Sequence, residues 1–298
     1  MGQVLVLGLI AGGIYALFAV GIVLVFRGSG VLNFAQGEIG TAALLAAYVV
    51  VHNGAPWIVG AVVALVTAAL LGGAFEFLVV RRMISSDPVS TAVASVGLTL
   101  TLVTIEILYV GGDVAILDNP FTSGQEVAGV IVYAHQVLAV VLALALGFGL
   151  QRLLRRTDFG LGILAAAQDP DAVRLVGVPL SKVSLVVWGL GGLLSGLAAL
   201  LAEPTVGQIT PGFASEFFIF GLAAAVIGGL NSLPGSVVAA IGLGIVEAAE
   251  QRYLSFGVPG ERYLLLLAAL LVALLGRAFA PELKRLFSGV SPAPVVAS

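Results

Sequence analysis

Apolar runs of about 20 residues, separated by shorter polar stretches, make up most of this sequence. A run of that length is what a helix needs to cross the hydrocarbon core of a membrane. The pattern predicts nine candidate spans, at 3–26, 31–52, 57–80, 90–110, 134–151, 183–203, 215–230, 235–250 and 262–279. We therefore expect an all-α, polytopic membrane helical bundle of eight or nine crossings.

Two regions of this pattern are interrupted. The 31–52 run begins with a polar cluster, and the 215–250 stretch reads as two short pieces joined through Asn231, Pro234 and Gly235. Non-helical backbone at membrane depth persists only where protein or a water-filled cavity covers it. One or two of these segments are expected to be broken or re-entrant, and the breaks are where a solute pathway is expected.

The extended polar segment 152–182 contains more basic than acidic residues, and this excess predicts the orientation of the chain. It holds five of the 13 Lys and Arg residues, and basic residues collect in cytoplasmic loops. Arg81 and Arg82 lie two spans earlier, so they are expected on the same side, whereas the loop 111–133 contains no Lys or Arg. Because the tail after the last span is also basic, the pattern predicts a cytoplasmic C-terminus. Nine full crossings would then put the N-terminus on the outside.

The same segment is expected to contain a short capped helix. Asp169 suits the N-cap, Pro170 suits the first helical position, and Asp171 complements the positive end of the helix dipole. Arg174 follows on this helix, and Gly177 provides a left-handed stop. A capped helix on the cytoplasmic face of a membrane protein indicates a docking element for a partner.

Composition excludes several classes of protein. With 60% hydrophobic and 10% charged residues, the chain differs from soluble domains, in which about 25% of residues are charged. The absence of Cys excludes disulfides and thiolate metal sites, and His52 and His135 have no partners at metal-ligand spacing. A net charge of −3 without a basic run argues against nucleic acid. Since phosphate-loop and G-x-S-x-G motifs are absent, we do not expect an enzyme or a nucleotide hydrolase.

The polar cluster at the start of the 31–52 run has two compatible interpretations. Asn33 suits an N-cap, with Glu38 one turn later complementing the helix dipole. Alternatively, a broken helix places its N-terminus inside the membrane, and Asn33, Gln36, Gly37 and Glu38 then line a solute path.

Other glutamates also fall within or at the ends of apolar runs. An ionised carboxylate at mid-membrane costs about 2.5–3.5 kcal/mol on insertion scales. Glu76 and Glu247 are close enough to segment ends that we expect them at an interface, and we see no basic residue near them in sequence. Glu106 is a further candidate for the path, although Thr101 and Thr104 could satisfy it locally.

Four sets of motifs occur in a fixed order along the chain. They are Gly12-Gly13-Ile14-Tyr15-Ala16-Leu17 through Asn33-Phe34-Ala35-Gln36-Gly37-Glu38, then Val96-Gly97-Leu98, then Phe159-Gly160 with Leu175-Val176-Gly177-Val178, and finally Ala225-Val226-Ile227-Gly228-Gly229 with Asn231-Ser232-Leu233-Pro234-Gly235-Ser236. Together they resemble the permeases of branched-chain amino-acid ABC transporters, of the LivH type. The sequence departs from the family pattern at Gln36, where His is usual, at Leu164, where Arg is frequent, and at Asn231, which replaces Gly.

The resemblance implies a transport subunit without a cofactor of its own. The implied permease domain is 1–287, with 152–182 as its cytoplasmic coupling loop and 288–298 as a disordered tail. The implied partners are a second homologous permease, two ATP-binding subunits that carry ATP and Mg²⁺, an extracytoplasmic solute-binding protein, and membrane lipid. Asp169, Pro170, Asp171, Arg174 and Gly177 would couple to the ATPase. The implied location is a bacterial or archaeal cytoplasmic membrane.

Three alternatives remain open at this point. Related permeases carry urea, amides and other small solutes. Because Gln36 stands where the family usually has His, these solutes remain possible substrates. An ion-coupled secondary transporter would use Glu38 or Glu106 as its proton or cation site. A membrane protein that serves assembly alone would use the capped helix to dock a partner other than an ATPase.

Overall fold

The computed structural model describes residues 1–83, 87–111, 114–168, 180–254, 257–258 and 260–288. Within them the chain forms ten α-helices and one two-stranded hairpin. The elements are α1 Gly2–Ser29, α2 Gln36–His52, α3 Trp57–Leu78, α4 Pro88–Val110, β1 Gly124–Val127, β2 Val130–Tyr133, α5 Ala134–Arg156, α6 Asp158–Gln168, α7 Leu180–Val206, α8 Phe213–Gly228, α9 Leu233–Tyr253 and α10 Glu261–Ser288, with a 3₁₀ turn at Val80–Met83. The all-α prediction is confirmed, whereas the hairpin was not predicted. The tail from 289 onward lies outside the described residues.

Helix length separates the membrane-crossing helices from the interrupted ones. In the described residues, six helices are long and apolar enough to cross a membrane, namely α1, α3 with the following turn, α4, α5, α7 and α9. α2 has 17 residues and α8 has 16, which gives each a length of about 25 Å, short of a hydrocarbon core of about 30 Å. The break expected in 31–52 is seen as a helix that begins only at Gln36. The expectation that 235–250 is a short piece is wrong, because α9 has 21 residues.

The bundle has two distinct ends. At one end, Arg27 Nη1 donates to Gln151 Oε1 at 2.6 Å, and Arg81 Nη2 donates to the Ser181 carbonyl at 3.2 Å. We call this the basic end. At the other end, which we call the hairpin end, the hairpin lies over the start of α1, where Gln3 Nε2 donates to the Gly129 carbonyl at 3.4 Å.

α1 is the central helix of the bundle. In its most apolar window 83% of the residues are buried, against 17% for α4 and 22% for α5. α1 crosses α9 at backbone contact, since a Cβ added at Gly244 would lie 2.3 Å from the Gly8 carbonyl oxygen and 2.5 Å from the Gly12 nitrogen. Small residues allow this close approach in membrane bundles. α4 and α5 pack on the outside and expose apolar side chains such as Leu100 and Phe148.

Candidate functional site

α2 begins inside the bundle and not at either end. Gln36, its first residue, donates from Nε2 to the Phe18 carbonyl at 3.4 Å. Phe18 lies eleven residues before Ser29, the last residue of α1, which corresponds to about 16 Å along the helix. The connecting residues 30–35 therefore turn back into the bundle, and the N-terminus of α2 is an internal helix end.

Side chains of α4 satisfy the non-helical backbone that leads into α2. Ser95 Oγ accepts from the Phe34 N–H at 3.0 Å, and Thr99 Oγ1 donates to the Phe34 carbonyl at 3.1 Å. Asn33 is buried and its Oδ1 accepts from the Ala35 N–H at 3.0 Å. The interpretation of Asn33 as the N-cap of α2 is wrong, because the N-cap is Ala35. The Asn33 side chain instead closes the turn that precedes the helix.

Gln36 and Gly37 hold α2 against two neighbouring helices. The Gln36 carbonyl accepts a hydrogen bond from Ser195 Oγ of α7, and its side chain is fully buried. A Cβ added at Gly37 would lie 2.9 Å from Ser215 Cα of α8. Both residues of the predicted path are therefore packed between helices in this conformation.

The N-terminus of α8 meets the first turns of α2. Ser215 Oγ donates to Glu38 Oε1, and Thr41 Oγ1 accepts from the Ala214 N–H at 3.0 Å. The first N–H groups of a helix have no partner within that helix. Side chains of α2 thus supply partners for the start of α8, and Glu38, which is 1% exposed, joins the two shortened spans.

Glu106 of α4 completes this cluster. Its Oε2 accepts from the Gly212 N–H at 3.0 Å, so the carboxyl group lies at the positive end of the α8 dipole. The same side chain is a close neighbour of the Glu38 carboxyl group. The idea that Thr101 and Thr104 satisfy Glu106 is wrong, because both hydroxyls donate to carbonyls one turn earlier in α4.

We call this cluster the junction, and define it as Gln36, Glu38, Glu106, Gly212 and Ser215. Its two carboxyl groups are each 1% exposed, and each keeps one oxygen without a donor in the described part of the chain. The described residues hold no group of three or more side chains that could bind a metal. The free carboxyl oxygens of the junction can therefore accept protons or water, and the junction ties α2, α4 and α8 together.

A second polar region opens at the hairpin end, where a cleft has a volume of about 610 Å³. Glu203 and Thr205 reach it from the last turn of α7, which contains Pro204, and His135 reaches it from the first turn of α5. His135 was expected to be isolated, but its Nε2 lies 3.1 Å from Thr205 Oγ1. Glu203 was not singled out in the sequence analysis. The one sequence feature that could have indicated it is an acidic residue followed by Pro204 at the end of an apolar run.

Glu76 and Glu247, which lie near the ends of their spans, are both buried inside the protein. Glu247 is 4% exposed, and its Oε2 accepts from the Tyr15 hydroxyl at 2.6 Å beside a cavity of about 260 Å³. Glu76 is fully buried, and its Oε2 lies 3.1 Å from Arg81 Nη2. The statement that no basic residue lies near these carboxylates is therefore wrong for Glu76, because the 3₁₀ turn after α3 brings Arg81 back to it.

The residues predicted to couple to an ATPase lie outside the described residues. They are Asp169, Pro170, Asp171, Arg174 and Gly177. The helix that leads to them, α6, is held tightly against α5, since a Cβ added at Gly160 would lie 2.4 Å from Leu154 Cα. Leu164, at one of the departures from the family pattern, is partly buried on α6.

The predicted break at 231–235 is a sharp corner between α8 and α9 at the basic end. Asn231 is exposed in the connection, whereas Pro234 and Gly235 belong to the first turn of α9, and Ser232 Oγ accepts from the Gly235 N–H at 3.1 Å. Arg277 of α10 donates to the Val226 and Ile227 carbonyls at 2.9 and 2.5 Å, where α8 ends. A cation at a helix C-terminus complements the dipole, so α10 holds this corner.

Comparison with known proteins places these features in one family. Residues 4–275 match the family described as the permease component of branched-chain amino acid transport systems. The high-affinity branched-chain amino acid permease protein LivH of Escherichia coli K12 is 29% identical over 93% of this chain and 95% of its own length. BraD of Pseudomonas aeruginosa is 26% identical over 83% and 85%, and the probable LivH of Methanocaldococcus jannaschii is 28% identical over 92% and 91%.

Proposed function

Because this chain belongs to the permease family of branched-chain amino acid transport systems, we propose that it is the membrane-spanning permease subunit of an ABC importer for branched-chain or other apolar amino acids. The observation that carries the proposal is the match over residues 4–275, which includes every helix from α1 to α9 and the first half of α10. The internal helix ends at the junction support it, because helices broken at membrane depth are a feature of transport proteins.

The permease works with partners that supply energy and selectivity. These are a second homologous permease, two ATP-binding subunits and an extracytoplasmic solute-binding protein. The sequence has no phosphate-binding loop, which supports ATP and Mg²⁺ being bound by the partner subunits. The basic end faces the cytoplasm of a bacterial or archaeal cell, where the segment Asp169 to Gly177 docks the ATP-binding subunits.

The junction suggests how movement at the basic end reaches the solute path. α8 runs from the junction to the corner held by Arg277, so a shift of that corner pulls on the contacts of Glu38 and Glu106 with the start of α8. Releasing those contacts frees α2 and α8 to separate. Asn33, Gln36 and Gly37 then line the space that opens between these helices.

The test is solute-stimulated ATPase activity of the complex reconstituted in liposomes with its ATP-binding subunits, second permease and binding protein. We expect stimulation by leucine, isoleucine or valine that depends on the binding protein. If only urea or an amide stimulated the ATPase activity, the chain would still be an importer subunit, but its substrate would be that solute and not an apolar amino acid. Solute uptake that needs no ATP-binding subunit and collapses with a protonophore would instead favour ion-coupled transport through Glu38 and Glu106.

A further inference from the structure

Glu203 is a buried carboxylate without a well-placed hydrogen-bond donor among the described residues. Its side chain is 0% exposed. The Leu117 N–H faces the carboxyl group, yet neither oxygen has a donor in hydrogen-bonding geometry among the described residues. Glutamate is almost never fully buried unless it is paired, and leaving a buried charged group without partners is strongly unfavourable. A buried carboxylate in this state, at the edge of a cleft, points to a ligand that carries hydrogen-bond donors.

The surroundings of Glu203 favour a positively charged ligand. Among the described residues that line the cleft, Asp118 is a second acid and there is no Lys or Arg. The aromatic side chains of Phe121 and Tyr133 border the same space, with the Phe121 ring centroid 5.3 Å from that of His135. Aromatic faces attract cations, and they also accept apolar groups. An anion would meet two carboxylates here and no counter-charge.

The size of the cleft favours a small organic molecule over a bare ion. Its volume of about 610 Å³ falls within the range of about 300–1,000 Å³ that is typical of small-molecule sites. The lining combines Ile116, Leu117 and Phe121 with the polar groups of Glu203 and Thr205. This is the combination expected for a ligand with one charged end and one apolar end.

We propose that the cleft at the hairpin end is a recognition site for the primary ammonium group of an apolar amine or amino acid, with Glu203 as its counter-charge. The site rests on the proposed function, because it makes this cleft the first place where the permease meets the α-amino group of its substrate. An ammonium group has three donors and no acceptor, so the two free oxygens of Glu203 and the Thr205 hydroxyl provide its partners. The apolar end of the ligand lies against Leu117 and Phe121.

The proposal makes a specific statement about the substrate carboxylate. Since the described lining contains no Lys or Arg, the carboxylate is left toward the open mouth of the cleft and contributes little to binding. An amine without a carboxylate should therefore bind as well as the amino acid. A carboxylic acid without an amine should not bind.

The experiment is saturation-transfer NMR on the complete complex in nanodiscs, without the binding protein, because this method detects weak binding. The ligands are leucine, 3-methylbutylamine and 4-methylpentanoate. We expect saturation transfer to leucine and 3-methylbutylamine only, and we expect Glu203→Gln to weaken both by about tenfold or more. Glu203→Asp, which keeps the charge, should retain part of the binding. Glu126→Gln is the matched control, because Glu126 is exposed on β1 at the same end of the bundle. The complex with this substitution should bind both ligands like the wild type.

Three results would overturn the assignment. They are binding of 4-methylpentanoate comparable to that of the amine, unchanged amine binding in the assembled Glu203→Gln complex, and displacement of the amine by Na⁺ at equal concentration. ATP-driven leucine uptake by the wild-type complex is measured in parallel. If leucine is taken up and any of the three results is found, only the ammonium site is refuted. If no solute is taken up, the proposed function itself is refuted.

Discussion

At the scale of single residues, three arrangements of buried carboxylates differ in what they contribute to the bundle. Glu76 is paired with Arg81, Glu38 and Glu106 accept hydrogen bonds at the start of α8, and Glu203 is left without a donor among the described residues. The first arrangement stabilises the fold, since the charge of Glu76 is compensated. The second holds two shortened spans together. The third stabilises nothing in the free protein, which is why it points to a ligand.

The Glu76–Arg81 pair should be needed for stability at the basic end. Arg81 Nη2 contacts both Glu76 Oε2 and the Ser181 carbonyl. Arg81→Met therefore leaves a fully buried carboxylate unpaired and removes the hydrogen bond between the turn after α3 and the start of α7. Losing one partner of a buried pair costs about 3–5 kcal/mol. Because the Arg81 side chain is 32% exposed, we expect a smaller loss of about 1–3 kcal/mol, measured as a lower melting temperature in detergent.

A double-mutant cycle separates the pair from the loss of arginine itself. Glu76→Gln combined with Arg81→Met removes the uncompensated charge, so it should recover much of the lost melting temperature. Arg82→Met is the control, because Arg82 is the exposed neighbour in the same turn and should change stability little. A double variant no more stable than Arg81→Met alone would show that the ion pair is not what Arg81 contributes.

At the scale of helices, glycine sets how closely α1 and α9 pack. A Cβ at Gly244 would meet backbone atoms of Gly8 and Gly12 at 2.3 and 2.5 Å, and backbone atoms cannot move aside as a flexible side chain can. Gly244→Ala should therefore force the two helices apart, at a cost of about 1–3 kcal/mol. We expect a lower melting temperature and weaker assembly with partner subunits, read by size-exclusion chromatography.

The same helix provides a matched control for this substitution. A Cβ added at Gly242 meets nothing within 4 Å, so Gly242→Ala should be neutral, or stabilising by up to about 1 kcal/mol because alanine favours helix over glycine. Equal effects of the two substitutions would mean that helix propensity, and not the α1–α9 crossing, determines the result.

Much of this element-scale arrangement could be predicted from the sequence. The polar cluster 33–38 indicated a broken span, and α2 does begin late, at Gln36. The partners of that cluster could not be predicted, because Glu38 meets Glu106 and Ser215 from α4 and α8, which are distant in sequence. Hydropathy alone did not predict burial, since α1 and α4 are both apolar enough to cross a membrane, yet one is central and the other peripheral.

The Glu76–Arg81 pair is different, because its residues are five apart. A helix continued past Leu78 would place these side chains more than one turn apart. The pair forms because α3 ends at Leu78 and the chain tightens into the 3₁₀ turn Val80–Met83. The sequence reading failed here because it treated 57–80 as one uniform span and did not consider where the helix ends.

At the scale of the whole molecule, the separation of charge between the two ends bears on orientation. Arg27, Arg81, Arg82 and the last turn of α5 lie at the basic end, and the hairpin with its exposed Glu126 lies at the other. Basic loops are retained in the cytoplasm during insertion. With the basic end in the cytoplasm, as the proposed function has it, the cleft of the proposed ammonium site opens on the outer side of the membrane.

The absence of cysteine makes this orientation directly measurable, because any single introduced cysteine is the only thiol in the chain. Glu126→Cys places it at the hairpin end, and Arg156→Cys places it on an exposed position at the basic end. In intact spheroplasts, a membrane-impermeant maleimide should label the first variant and reach the second only after permeabilisation. The reverse pattern would put the cleft of Glu203 in the cytoplasm, where it could not receive solute from an extracytoplasmic binding protein, and the ammonium site would then have to act at solute release.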